Sequence, residues 1–396
     1  MGVPSRVPFH ARHRAEPGRT DGVEPAPPRL RGRAGRRHGH RLILLLLLLW
    51  PFSASADSIR LAVFAAPLSR DGPGLLLRDI LDQDPQAAGA ARIVAEASPD
   101  ILLLTDFDYD SGLAALSAFA EVAGGFEHGF ALLPNAGMAT DLDLDGDGRV
   151  DARDAQGYGR FAGDGGLAIL SRWPIDRSRV QDFSALLWRD LPGATLPQVG
   201  EDPFPSEAAQ TIQRLSSTGH WVVSIEVPGG LLHLLVHSAT PPVFDGPEDR
   251  NGLRNRDELR LWTHFLDGAL GPPPGDRFVI MANTNLDPEN GDGRREAMQS
   301  MLSDPRLQDP RPRSAGGAAL ADPDHAGDPA LDTADWDDDG AGNLRVVYIM
   351  PSRDMTVLNS EVRWSPPGTP EAAVEAVAGP HRLVLMDVEV SPDMTN

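Results

Sequence analysis

The chain contains no cysteine. Disulfides are therefore excluded, and rigidity must come from an apolar core or from bound metal ions. It contains no lysine either, so all 36 basic residues are Arg, which reads as a compositional bias and not as a functional signal. Apolar runs long enough to cross a bilayer are missing too. The strongest run, "LILLLLLLW" at residues 42–50, falls well short of the roughly 20 residues a spanning helix needs. Positive charge is scarce: 57 acidic residues outweigh the Arg and leave a net charge of −21. A strongly acidic surface repels phosphate backbones and anionic lipid, which argues against long nucleic acid as a tight partner.

What is present begins with an Arg-, Pro- and Gly-rich segment that has no apolar periodicity and leads through Arg41 into the Leu run. "PFSASAD" follows, with Ala54 and Ala56 spaced as in a small-residue cleavage site. A basic region, a short apolar core and an A-x-A ending are the order of a secretory signal peptide. We therefore expect residues 1–56 to be a leader with a long basic region, and residues 57–396 to be one domain of a secreted or periplasmic protein with no membrane span after cleavage. Loss of the leader would leave 26 Arg against 54 acidic residues, a net charge of −28.

In the remainder, short apolar runs have strand lengths: "IRLAVF" (59–64), "DILLL" (100–104), "GLAIL" (166–170), "WVVSIEV" (221–227), "LLHLLV" (231–236), "FVIM" (278–281), "RVVYIM" (345–350) and "HRLVLMDVEV" (381–390). Helical patterns separate some of them. In residues 256–270, Leu259, Trp262, Phe265, Leu266 and Ala269 fall on one face. This alternation predicts an α/β fold with helices covering sheets. No internal repeat or linker divides the chain.

Several runs end in a polar or small residue. The first leads to Ala65, the second to Asp106 in "DFDYD", the fifth to His237, and the sixth to Asn283 and Asn285 in "ANTNLDP"; the last begins at His381. These motifs, with "HSATPPVFDGPEDRNGLRNRDELRLW", "GNLRVVYIMPS" and "GPHRLVLMDVEV", resemble the endonuclease/exonuclease/phosphatase superfamily, in a secreted bacterial subgroup, over roughly residues 58–392. The resemblance implies a four-layer α/β sandwich, two mixed β-sheets flanked by helices, that hydrolyses phosphoesters with Mg²⁺ or Mn²⁺. In such members an Asn and a Glu after the first two strands help hold the metal, and a His on a central strand contacts the phosphate. An Asp-x-Asn pair positions water, and an Asp-His pair closes the site.

This chain departs from that pattern at several positions. Ala65 stands for the Asn, Asp106 for the Glu and Asn283 for the activating Asp; Val347 and Pro380 stand where relatives carry Asp. A carboxamide cannot take up a proton, and loss of a positioned base costs on the order of 10² to 10⁴ in rate. His237, Asn285, Asp287 and His381 remain as the resemblance requires. On residue type alone, His237 and His381 are equally core histidines. Asp106, with Asp108 and Asp110, is equally part of a solvated acidic loop. Arg250, Arg254 and Asn255 either gather near an anion or lace a surface with ion pairs.

A separate stretch, "DLDGDGRVDARD" at 143–154, fits the calcium-loop template. Asp143, Asp145 and Asp147 fill positions one, three and five, Gly148 the turn, and Asp154 the end. An acidic surface loop is the competing reading, and "DTADWDDDGAGN" (332–343), which lacks the spacing, is read as one. The sequence thus predicts an exported family member with a depleted metal site. It would bind Ca²⁺ and act as a weak or inactive phosphoesterase that engages a phosphorylated small molecule or a protein partner. The alternative is an active metal-dependent phosphatase, phosphodiesterase or nuclease.

Overall fold

A computed structural model describes residues 58–390; the leader expected at residues 1–56 lies outside them. Strands β1 (Ser58–Phe64), β2 (Ile101–Phe107), β3 (His128–Phe130), β4 (Gly166–Ser171) and β5 (Ile175–Asp182) come first. Two short ones, β6 (Gln198–Val199) and β7 (Asp202–Pro203), pair with each other. β8 (His220–Val227), β9 (Gly230–Ser238) and β10 (Phe278–Asn283) follow, then the small pair β11 (Ala334–Asp335) and β12 (Asn343–Leu344). β13 (Val347–Pro351), β14 (Val357–Arg363) and β15 (Leu383–Glu389) complete the set. The helices are α1 (Leu75–Leu81), α2 (Pro85–Ala97), α3 (Ala114–Val122), α4 (Glu207–Ile212), α5 (Arg250–Leu266), α6 (Glu296–Leu302), α7 (Ala315–Ala319) and α8 (Pro370–Ala378).

One sheet has the order β14-β15-β1-β2-β4-β3 and the other β13-β10-β9-β8-β5. Both are mixed: β1–β2 and β9–β10 are parallel, and the remaining pairs of the two sheets are antiparallel. Period-two alternation divides the side chains between layers. Leu61 and Val63 of β1, Leu103 of β2, Val236 of β9 and Met281 of β10 share one core between the sheets. The opposite faces pack outward, Leu102 and Leu104 under α2 and α3, Leu235 and Ile280 under α5 and α6. The result is helices, sheet, sheet, helices, the four layers the resemblance implies.

Local signals explain the helices that matter here. α2 starts where the Asp84 carboxylate accepts from the N–H groups of Gln86 and Ala87, with Pro85 in the first turn. It then buries an Ala-rich face, Ala87, Ala90 and Ala91. α5 begins at Arg250, earlier than the pattern over 256–270 suggested, and ends at Leu266, so Ala269 lies beyond it. Leu259, Trp262 and Phe265 do face the sheet. The early start is favoured because the first turns are also buried, through Asn251, Leu253, Arg254 and Asn255.

Candidate active site

The pairings bring the carboxyl ends of β1 and β2 beside the amino end of β15 in one sheet, and those of β9 and β10 beside the amino end of β13 in the other, and residues at both sets of ends line one cavity. A crevice of about 1250 Å³ opens there, lined in part by Ala65, Asp106, Ser238, Asn283, Asn285 and His381. Ala65, Asp106, Asn283, Asn285 and His381 therefore share one cavity, and Asp287, Asp145, Asp147, Arg250 and Arg254 also reach its walls.

His237 does not share it. Leu232, Leu234 and Val236 face the inter-sheet core, so alternation carries Ser238 into the crevice and turns His237 outward beneath α5. Its Nδ1 accepts from the Trp262 indole N–H at 2.9 Å, and its ring stacks on His220 with centroids 4.7 Å apart. His220 donates from Nε2 to the Glu258 carbonyl at 3.0 Å and accepts the Ser216 hydroxyl at Nδ1. Both rings are thus neutral. Burial pushes His220 down to about 3 and His237 well below its usual range. The expectation that His237 contacts phosphate is corrected: it is a core residue, and Ser238, 8% exposed, occupies the inward place.

Asp106 reaches the crevice by a backbone irregularity. Between Thr105 and Phe107 the β2–β4 register shifts, and Asp106 adopts φ 65°; a bulge of this kind re-aims a side chain. Burial, opposed by the neighbouring Ser69 hydroxyl and reinforced by the Asp164 charge, pushes its carboxyl up to about 6. Gly165 is required beside it, because a Cβ there would lie 2.8 Å from Asp106 Oδ1. The other two Asp of "DFDYD" are structural. Asp108 accepts from the N–H groups of Arg70 and Gly165 at 3.0 and 3.2 Å, and burial raises it to about 7. Asp110 accepts from the N–H groups of Ala114 and Ala115 at the start of α3.

Asn283, 6% exposed, accepts only a long 3.4 Å bond from Asn285 N, and its Nδ2 donates to no group among the described residues. Asn285, at φ 50°, donates from Nδ2 to the Ala239 carbonyl at 2.7 Å. Asp287 is spent on the turn: it accepts from the N–H groups of Glu289, Asn290 and Arg345. Val347 pairs across the sheet with Asn283 and adds no donor. His381 meets the edge of Trp336 at 5.1 Å, its Nδ1 has no partner, and burial beside Arg382 holds it at about 4. Pro380 contributes only its carbonyl, to Asp335 N at 3.0 Å.

The phosphate-binding reading of the α5 residues is corrected as well. Arg254 is buried and donates to the carbonyls of Gln156, Arg214, Leu215 and Ser216. Asn255 donates to the carbonyls of Thr240 and Thr284, tying the loops after β9 and β10 together. Arg250 donates to the Leu144 carbonyl. Each guanidinium is committed to backbone.

In the 143–154 loop the carboxylate oxygens of Asp143, Asp145 and Asp147 lie within 4.8 Å of one another, and among the described residues this is the one such acidic or His trio. Asp154 stands apart from them. It is buried, and it accepts from the N–H groups of Leu144, Asp145 and Asp151. Arg153 reaches Asp145 at 3.3 Å and also pairs with Asp147. At the strand ends, by contrast, the uncommitted groups are one carboxylate, Asp106, and two carboxamide oxygens; Asp164 beside Asp106 accepts from the Arg160 N–H at 2.7 Å, and among the described residues no acidic or His trio comes within ligand reach there. That donor set does not fit Mg²⁺, which is held through carboxylates in near-octahedral geometry.

Sequence reading missed Ser69, Asp164, Ser238 and Trp336. None of the four had a usable signal, since even Ser238 ends a strand that is apolar on both faces.

Among curated proteins none matches this chain. Its backbone is similar to that of an endonuclease/exonuclease/phosphatase from Beutenbergia cavernae DSM 12333 (TM-score 0.48, 16% identity, 84% of this chain and 72% of that one). It is likewise similar to sphingomyelinase C from Streptomyces griseocarneus (0.45, 16%, 84% and 99%) and to beta toxin from Staphylococcus aureus with bound magnesium ions (0.46, 12%, 85% and 100%). The model of the endonuclease/exonuclease/phosphatase family matches residues 69–374, more than half of the sequence, and the chain belongs to that family.

Proposed function

We propose that this family member is an exported pseudoenzyme, in which the phosphoesterase crevice is kept as a binding site and the hydrolytic machinery is lost. The observation that carries this reading is the inward-facing set at the strand ends: Ala65, Asp106, Ser238 and Asn283 line the crevice. It holds one carboxylate and no inward histidine from β9. Without a metal cage the developing phosphoryl charge has no counter-ion. Without a carboxylate at position 283 no side chain there can deprotonate water. What the residues can still do is bind. Asn283 presents a free carboxamide, Asn285 a spare oxygen, and Ser238 a hydroxyl. We further propose that the mature chain starts at Asp57 and that Ca²⁺ occupies the Asp143, Asp145 and Asp147 trio as a structural ion.

Calorimetric titration with Mn²⁺, in the presence of saturating Ca²⁺, tests the reading. Wild type and Asp106→Ala should titrate alike. A Mn²⁺ site lost in Asp106→Ala would support the alternative, an active metal-dependent phosphoesterase.

A further inference from the structure

If the crevice binds and does not hydrolyse, its charge selects the ligand. Every Arg that lines it is already engaged: Arg254 and Arg250 by carbonyls, Arg153 by the acidic loop, and Arg160 by Asp71 at 3.4 Å. Nine carboxylates line the cavity against these four guanidinia, a balance that disfavours an anion. Asp245, Glu248, Asp292 and Asp337 line the same cavity, and among the described residues none of the four forms an ion pair. They do not converge on one metal ion: among the described residues the trio within ligand reach is Asp143, Asp145 and Asp147, two of which stand elsewhere on the wall of the same cavity. Carboxylates spread around a mouth suit several separate cationic side chains instead.

Aromatic side chains stand among them. Phe244 is 90% exposed and Tyr158 65% exposed, and both line the crevice with Trp336. Exposed aromatic faces beside carboxylates are open to a ligand, and an aromatic face attracts a guanidinium or ammonium group. Beneath them Asn283, nine-tenths buried, directs a carboxamide with no firm partner into the cavity.

We propose that the crevice receives a basic peptide segment of a protein partner, its Arg or Lys side chains seated between the rim carboxylates and the faces of Tyr158, Phe244 and Trp336. The inference rests on the pseudoenzyme reading and, of the two ligands expected from the sequence, takes the protein partner over the phosphorylated small molecule.

The test is fluorescence anisotropy of the mature chain with a labelled Arg-Gly repeat peptide, using a Glu-Gly repeat as the opposite-charge probe. The triple change Asp245→Asn, Asp292→Asn and Asp337→Asn should weaken Arg-Gly binding about tenfold, from several exposed charge pairs of up to about 1 kcal/mol each. Tyr158→Ala with Phe244→Ala should weaken it several-fold. The control is Glu121→Gln, Glu127→Gln and Glu226→Gln, which removes equal charge from the last turn of α3, the segment after it and the end of β8, none of it lining the crevice. It should change binding by less than about twofold. A control that weakens binding as much as the rim triple, an aromatic pair without effect, or preference for the Glu-Gly probe would overturn the proposal. Phosphoester turnover is measured on the same samples. Absent binding with absent turnover removes this inference alone, whereas turnover removes the reading beneath it.

Discussion

The buried histidine pair makes a quantitative prediction about acid stability. His220 is neutral in the folded chain because burial pushes it down to about 3, while in the unfolded chain it titrates near 6.5. Below that unfolded value the unfolded state binds more protons, so folding stability falls as pH falls, through the window from about 6.5 down to about 3. Between pH 7.5 and pH 5 the loss from His220 is about 2 kcal/mol. That figure is fixed by the unfolded value so long as the folded one stays below about 4. His237 adds a loss of the same sign. Opposing them, burial raises Asp106 to about 6 and Asp108 and Asp332 to about 7. These groups take up protons first in the folded state and so stabilise it over the same window. The whole-protein profile is therefore a near-balance, and only a single-site difference is diagnostic. Urea unfolding of wild type and His220→Gln at both pH values supplies it. The Gln variant loses the Ser216 and Glu258 geometry and is less stable overall, but its stability should fall about 2 kcal/mol less than wild type on going to pH 5. Equal falls in the two proteins would refute the neutral, buried assignment, and with it the placement of His237 beneath α5.

Other expectations follow from the same geometry. Arg254→Met should destabilise by about 3–5 kcal/mol, because four carbonyls and the buried Glu258 lose their cation, and a thermal melt that barely moves would contradict its structural role. Ca²⁺ should raise the melting temperature by preferential binding to the folded loop, and Asp145→Ala should abolish the rise; a rise that survives the substitution places the ion elsewhere. Mass spectrometry of exported protein should find an amino terminus at Asp57, and a retained leader would defeat the export assignment.

The apolar runs located all the strands that are buried on both faces, because such strands read as unbroken hydrophobic stretches. β5, "IDRSRVQD", and β14, "VLNSEVR", left no such trace. Both lie at sheet edges, half in solvent, where polar residues are allowed. The same property hid the error at His237. In "LLHLLVHS" both faces of β9 are apolar, so hydrophobicity cannot say which phase points inward, and residue type suggested the wrong member of the His237–Ser238 pair. For Asn255 a signal existed: it lies one turn before Leu259 and two before Trp262, on the face already assigned to the core. The bulge that turns Asp106 inward depends on pairing with β4, which no local pattern encodes.

The most direct test is phosphoester turnover by the mature chain with Mg²⁺ or Mn²⁺, on phosphomonoester, phosphodiester and DNA substrates. It should be compared with the combined variant Ala65→Asn, Asp106→Glu, Ser238→His, Asn283→Asp and Pro380→Asp. Residues that act as a unit gain little singly, so the account predicts wild-type turnover at the background level and measurable, metal-dependent turnover only in the combined variant. Robust wild-type hydrolysis that disappears in Asp106→Ala or Asn283→Ala would contradict it.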